Sequence, residues 1–213
     1  MKKFFLLLTA GAWVLATSAN AVEYGFDKSH THIGFSVKHI LGMVPGQFKD
    51  YDGTFSFDEK KPASSKIAVT IQAASISTDN DMRDNHLKTA EFFDVEKFPV
   101  LTFLSKKVSP AGENKYKVEG NLTLHGVSKP VTLDVEYMGS DTMMGAKIVG
   151  FSATTRIDRR DFGLTWSKVL ESGNLMVGND VNIALDVAGM DKAAMEKMKN
   201  RMKNGSKKPA DKN

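Results

Sequence analysis

The chain has 213 residues, of which 41% are hydrophobic and 25% charged, and a formal net charge of +4. That length suits one domain with flanking segments. There is no cysteine, which excludes disulfide staples, thiol catalysis, thiolate metal sites and lipid attachment through a cysteine.

Residues 1–21 read as a secretory signal rather than as part of the fold. Met1, Lys2 and Lys3 make a basic start, 4–16 is an apolar run, and Ala19-Asn20-Ala21 is a small-x-small cleavage site. The run is too short and wrongly flanked for a membrane span. The mature chain is expected to begin at Val22 and to reside in the periplasm. The basic character lies at the other end: residues 191–213 hold eight Lys or Arg against three Asp or Glu, while 22–190 carries three more acidic than basic residues. A mildly acidic body argues against nucleic-acid binding.

A short strand opens the body at 22–27, with Tyr24 and Phe26 on one face. In the stretch 27–57, Ile33, Phe35 and Val37 alternate with Gly34, Ser36 and Lys38, which puts an apolar face on one side of a strand. Gly42, Pro45 and Gly46 predict a loop. Phe48, Tyr51, Phe55 and Phe57 follow, the last two on a strand over 53–57. After a polar turn at 58–65, Ile67, Val69, Ile71 and Ala73 mark a fourth strand. A helix is predicted over 79–93, capped by Thr78 or Asp79, carrying Met82, His86 and Leu87 at helical spacing and stopped by Pro99. Its weak apolar face places it across an opening or an edge.

Strands resume at 100–108 and 116–124. Residues 125–130 read as a turn, 131–137 as a strand, 139–145 as a loop, and 147–158 as a long strand that Gly150 bends. A long connection, 159–178, carries Arg160, Phe162, Leu164, Trp166 and Leu170. A strand at 181–187 closes the pattern. The total is about eight or nine strands, mostly antiparallel by their short turns. Each has one apolar face, so the sheet must fold over or close to hide it. The expected fold is therefore all-β: an antiparallel eight-stranded barrel with one short helix after the fourth strand, whose interior is filled by side chains or holds one small ligand. Domain limits are 1–21 for the signal, 22–189 for the barrel and 190–213 for a basic tail. In that tail Met195, Met198 and Met202 recur at helical spacing among Lys192, Lys197, Lys199 and Arg201. It reads as a short helix with a solvated end, or as a basic segment in transient contact with an anionic membrane surface.

Little of the chain suggests catalysis. His30 and His32 share a strand face, and His39 is the only nearby third ligand for a metal. No His-Glu-x-x-His helix and no Gly-x-Ser-x-Gly elbow is present. The histidines are read as hydrogen-bonding groups at a strand start, with a metal-assisted enzyme built on His30, His32 and His39 as the alternative. A stress-induced envelope protein acting through protein partners is a third reading. Arg156, Arg159 and Arg160 interleave with Asp158 and Asp161, as ion pairs at a barrel mouth or with one arginine or Lys168 meeting an anionic head group. The candidate ligand-binding residues are Ile33, Phe35, Val37, Phe48, Phe55, Phe57, Leu122, Leu133, Phe162, Leu164, Trp166 and Arg160. No catalytic residue, metal ligand or cofactor is assigned.

Several motifs in order carry a resemblance to a known family. They are Asp27-Lys28-Ser29-His30-Thr31-His32-Ile33-Gly34-Phe35-Ser36-Val37-Lys38-His39, Gly46-Gln47-Phe48 before Gly53-Thr54-Phe55, Asn85-His86-Leu87, Glu91-Phe92-Phe93-Asp94, Phe98-Pro99, Gly120-Asn121-Leu122-Thr123-Leu124-His125-Gly126-Val127, and Asp158-Arg159-Arg160-Asp161-Phe162-Gly163-Leu164. Over residues 22–189 the chain resembles the YceI-like family of bacterial periplasmic polyisoprenoid-binding proteins. The resemblance implies a lipocalin-like barrel with an elongated apolar cavity. It also implies binding and transport of long isoprenoid lipids such as quinones or prenyl precursors; related members hold fatty acids or their amides. It says nothing of the tail. A homodimer is compatible with this reading, and nucleic acid is not expected as a partner.

Overall fold

The computed structural model describes residues 22–205. The expected signal at 1–21 and the end of the basic tail, 206–213, lie outside the described residues. Eleven strands form one sheet. They are β1 (Val22–Phe26), β2 (His32–His39), β3 (Gly42–Phe48), β4 (Tyr51–Phe57), β5 (Lys66–Gln72), β6 (Ile76–Ser77), β7 (Val100–Gly112), β8 (Lys115–Leu124), β9 (Val127–Met143), β10 (Ala146–Asp158) and β11 (Val177–Asp191). Two α-helices, α1 (Asp81–Lys88) and α2 (Lys192–Gly205), and three short 3-10 turns, Pro62–Ser64, Ala73–Ser75 and Arg159–Phe162, complete the described elements.

Every pairing between strands is antiparallel, and β1 pairs with both β4 and β11, so the order β1-β4-β5-β7-β8-β9-β10-β11 returns to its start. This is a closed eight-stranded barrel. The extra strands are continuations of its staves. β1 and β2 form one stave interrupted at 27–31; β3 and β4 form the next, interrupted at Lys49 and Asp50. The pairings Ile33↔Phe48 and Gly25↔Thr54 belong to one long hairpin. β6 likewise extends the β5 stave, pairing Ile76 with Phe48 where β5 pairs Ile71 with Tyr51.

The alternation read from the sequence is realised along the walls. Tyr24 and Phe26 are buried, and β5 and β9 alternate half-buried and exposed residues along their length. Three expectations need correction. The Gly42, Pro45 and Gly46 segment is a strand, β3, because β2 supplies a full antiparallel partner from Ile33 to His39. Its proline at position 45 stands at the sheet's edge, where β6 reaches only Gln47 and Phe48 and no donor is needed. The expected loop at 139–145 and turn at 125–130 are strand as well, with tight turns only at His125-Gly126 and Met144-Gly145. Finally, α1 is shorter than predicted and is capped by the Asn80 side chain, which accepts from the Arg83 amide at 3.0 Å. Thr78 is buried just before the helix, its hydroxyl and amide both donating to the buried Asp84 carboxylate. The bend expected at Gly150 is present as a register slip before Phe151.

The connection after β10 starts with a single 3-10 turn, Arg159–Phe162, capped by Asp158 and stopped by Gly163 at a left-handed φ of 80°. Residues three apart eclipse in a 3-10 turn. Arg159 and Phe162 therefore point inward together and are buried, while Arg160 and Asp161 face solvent. The Arg159 guanidinium donates to the carbonyls of Gly178 (2.8 Å), Leu164 and Val177 (3.3 Å). Both ends of the connection are thereby tied to one side chain. Burial pulls its pKa below the ordinary arginine value, and the nearby Asp158 works the other way. Arg160 forks onto the Asp158 carboxylate at the surface.

At the other end of the barrel, α2 leaves β11 and lies on the outer wall. Asp191 caps it by accepting from the amides of Ala193 and Ala194. Met195 packs over Gly25, whose missing side chain would collide with the methionine sulfur at 2.9 Å, and Lys192 pairs with Glu23 at 3.1 Å.

Replacing Arg159 with Ala should destabilise the protein by about 3 kcal/mol or more, since each buried carbonyl left without a donor costs roughly 1–3 kcal/mol. Replacing the neighbouring Arg160 with Ala should leave the denaturation midpoint unchanged. Paired urea titrations of the two variants check this.

Candidate ligand cavity

The buried core is not continuous. One cluster, around Phe48, Ile76, Leu101, Leu124, Phe162 and Leu164, packs at the end of the barrel beside α1. A second, around Tyr24, Phe26, Tyr51, Phe55, Phe57 and Val149, fills the opposite end, and a third, Phe103, Val108 and Val118, packs along the β7–β8 wall. Between them the inward side chains of Val69, Leu133 and Ile183 are only half-buried, because they line a cavity rather than a packed layer. The cavity volume is about 370 Å³, within the ordinary range of ligand sites.

Two features keep this lumen open. Alternation delivers an aliphatic lining from β5, β9 and β11, including Ile67, Val131 and Leu185. Some phenylalanines also lie flat against the wall over glycines. A Cβ on Gly46 would stand 2.3 Å from the Phe35 ring tip, and one on Gly120 would stand 2.5 Å from that of Phe103. Each ring occupies the space of the absent side chain rather than the lumen.

The floor is an aromatic plug. Phe57 meets Phe151 edge-on at 5.0 Å and Tyr137 at 5.0 Å, and Tyr24 stacks on Phe55 at 5.3 Å. Behind the plug the Tyr137 hydroxyl donates to Glu59 at 2.6 Å, with Ser140 and Lys147 on the same carboxylate. Burial and the acceptor Glu59 push the Tyr137 phenol up to about 12, and the same hydrogen bond holds the Glu59 carboxyl below its usual range. Tyr24 is fully buried, its hydroxyl has no hydrogen-bond partner among the described residues, and burial raises its pKa.

The mouth is at the α1 end. Trp166 leans on Phe92 at 4.8 Å and meets His86 edge-on at 5.4 Å. His86 in turn bonds Glu91 at 2.5 Å. Across from this aromatic lid, the β2–β3 hairpin and the start of β11 present half-buried Val37, His39, Val44 and Val177 to the lumen. The cationic and imidazole side chains on the lining, His39, Arg83, His86 and Arg159, all belong to this end. Arg83 is held by Thr78, donating to its hydroxyl at 2.7 Å and its carbonyl at 2.8 Å.

Of the twelve residues singled out from the sequence, Ile33, Phe35, Val37, Phe48, Phe55, Phe57, Leu122, Leu133, Leu164 and Trp166 line the cavity. Two do not. Phe162 is packed into the core cluster that roofs the lumen, and Arg160 is turned outward onto Asp158, leaving the lining position to Arg159. Lys168, the other cation considered for a head group, is exposed and off the lining. Sequence reasoning also passed over Arg83, Phe92 and the inward face of β11. The last was legible in the alternation of Val181, Ile183, Leu185 and Val187.

The three histidines of the opening stretch do not converge. His30 bonds Asp27 at 2.7 Å on the surface, His32 is exposed with its ring folded over Gly34, and only His39 reaches the cavity. Among the described residues no three His, Asp or Glu side chains gather as a metal set.

Comparison with known proteins agrees with this architecture. The family model of the YceI-like domain matches residues 24–188. Protein YceI of Salmonella arizonae is 44% identical over 170 residues, covering 78% of this chain and 88% of that protein. The crystal structure of the Campylobacter jejuni YceI protein is 34% identical, covers 90% of this chain and 99% of its own, and superposes with a TM-score of 0.63. A polyisoprenoid binding domain from Saccharophagus degradans shares the fold at 16% identity, with a TM-score of 0.57 over 79% of this chain and 98% of that domain. On the match across its whole barrel, the chain belongs to the YceI-like family.

Proposed function

We propose that the protein is a periplasmic binding and carrier protein for long-chain isoprenoid lipids, of quinone or polyprenyl type, held with the chain along the barrel lumen. The observation that carries this reading is the distribution of polarity in the cavity. The lining is mainly aliphatic and aromatic from Val44 and Val177 at the mouth to Phe57 and Phe151 at the floor, interrupted by the uncharged hydroxyls of Ser56, Ser65 and Thr155, and its charged and imidazole groups stand at the mouth alone. Each methylene moved from water into such a lining gains roughly 0.8 kcal/mol. Ordering the chain takes back a large share of that gain. A charged head group finds cationic and imidazole partners at the mouth, near His39 and Arg83.

Three further points support the reading. The related Saccharophagus domain is described as binding polyisoprenoid. The leader at 1–21 has the pattern of an export signal. Binding of this kind requires no nucleophile, general base or metal, and the histidines do not supply one. A nearly insoluble lipid needs a carrier wherever it crosses water, which gives an exported barrel its use.

Mass spectrometry of an organic extract of the purified protein should recover a prenyl-chain lipid in near-stoichiometric amount. Recovery of no lipid, or of fatty acids alone, would count against the isoprenoid assignment. Gly46→Ala should drive the Phe35 ring into the lumen and lower prenyl-chain binding by about fivefold or more, while a cooperative unfolding transition is retained. His32→Ala, on the outer face, should leave the lipid content as it is.

A further inference from the structure

The rim of the mouth carries a cluster of exposed apolar side chains that the cavity itself does not explain. Leu41 is 94% exposed, Val169 69%, Met43 52%, and Ile40 and Leu175 41% each. Single exposed hydrophobic residues are ordinary, but a contiguous group beside a binding site is not. These five come from two chain segments that the backbone holds side by side. The Ile40 amide donates to the Met176 carbonyl at 2.8 Å, the Met176 amide to the Lys168 carbonyl at 2.7 Å, and Val169 bridges Leu175.

The hairpin tip is built at a cost. Ile40 and Leu41 form the two-residue connection of β2 and β3, and Ile40 has a φ of +55°. Asn or Gly takes that conformation readily, whereas a β-branched residue does so only under strain. A sequence tuned for stability alone would place Gly at position 40. Strain of this kind marks positions retained for what the side chains do.

We propose that this lip is a membrane-docking surface, inserting Ile40, Leu41, Met43, Val169 and Leu175 into the interfacial layer of an anionic phospholipid bilayer. The inference rests on the isoprenoid-carrier reading of the same cavity. Two observations commit the surface to lipid. First, the lip is continuous with the lumen: Val37, Val44 and Val177 line the cavity, and the strands that carry them run directly into the lip. A chain leaving the bilayer there passes from lipid to lining without crossing water. Second, exposed Lys38 and Lys168 flank the apolar tips. Long cationic side chains of this sort reach the phosphate layer while their stems stay with the apolar group. The other exposed tip, Met143 and Met144 between β9 and β10, lies at the plugged end with the basic helix α2 and has no such access.

The test is co-sedimentation of the full-length exported protein with vesicles of phosphatidylethanolamine and phosphatidylglycerol, read beside binding of dispersed farnesol. The double variant Leu41→Asp/Val169→Asp should lose vesicle binding by about tenfold or more and keep wild-type farnesol affinity and melting temperature. Met143→Asp/Met144→Asp and Lys197→Glu/Lys199→Glu should bind vesicles as the wild type does. If the double variant unfolds, Leu41→Ser/Val169→Thr takes its place, with a smaller loss expected. The proposal is overturned if wild type ignores vesicles, if the lip variants still sediment, or if only the variants of the opposite end release. It is equally overturned if the lip substitutions convert a dimer to a monomer in ultracentrifugation with no change in vesicle binding, since a second copy would then be the occupant. Farnesol binding reports on the cavity separately: its absence in wild type would remove the carrier reading, while vesicle binding would still decide the lip.

Discussion

Closure is the constraint on which the rest of this structure depends. Each stave has one apolar face, and no second sheet is available to cover it. The pairing of β1 with both β4 and β11 turns the apolar faces inward on each other and leaves only the short β3 and β6 extensions with a free edge. The short β1 can do this because its stave is broken after Phe26. β1 lies against the last residues of β11, and β2 resumes along the first part of the same strand. The break at Asp27 and the one at Lys49 and Asp50 let two long staves bend around the barrel without losing their partners. His30, one of the three histidines of the metal-site alternative, is bonded to Asp27 and stitches one of those breaks.

A closed barrel of this size is ordinarily filled. Here the filling is a roof from Phe162 and Leu164, a floor from Tyr24, Phe55 and Phe57, and a wall cluster of Phe103, Val108 and Val118, with a cavity left among them. The middle stays hollow because its residues are aliphatic chains of moderate length, and because glycines accept the phenylalanine rings that would otherwise cross it. A void in a protein interior costs dispersion contacts and cavity energy. A cavity kept open between packed ends is therefore a feature with a ligand in view. The sharp separation of its charged groups to one end gives that ligand a direction.

Much of this was legible in the sequence, for a physical reason. Period-two alternation is strong wherever one face is buried, so β2, β5, β8 and β11 could be read residue by residue, and the lumen-facing Ile33, Phe35, Leu122 and Leu133 with them. The failures have equally specific causes. β3 was hidden because Gly42, Pro45 and Gly46 have poor strand propensity, and only a tertiary partner, β2, overrides it. The turns at His125 and Met144 were drawn too long, since strands extend through Pro130 and Gly139 once both neighbours are in place. Arg160 was chosen over Arg159 because charge alone does not distinguish neighbours. The three-residue spacing from Arg159 to the buried Phe162, in a segment capped by Asp158 and ended by Gly163, was the signal that separates them. The α1 cap moved from Thr78 to Asn80 because Thr78 is used as a buried tie between Asp84 and Arg83.

On the proposed function, a prenyl chain lies along the lumen with its polar end at the Trp166 mouth. Photo-crosslinking with a prenyl probe carrying a diazirine at its hydrocarbon end, followed by peptide mapping, tests it most directly. The account predicts adducts on deep lumen residues such as Phe57, Ile67 and Phe151, next to the floor. Adducts confined to the outer wall, at Leu104 or Met138, or to the mouth alone, would contradict it.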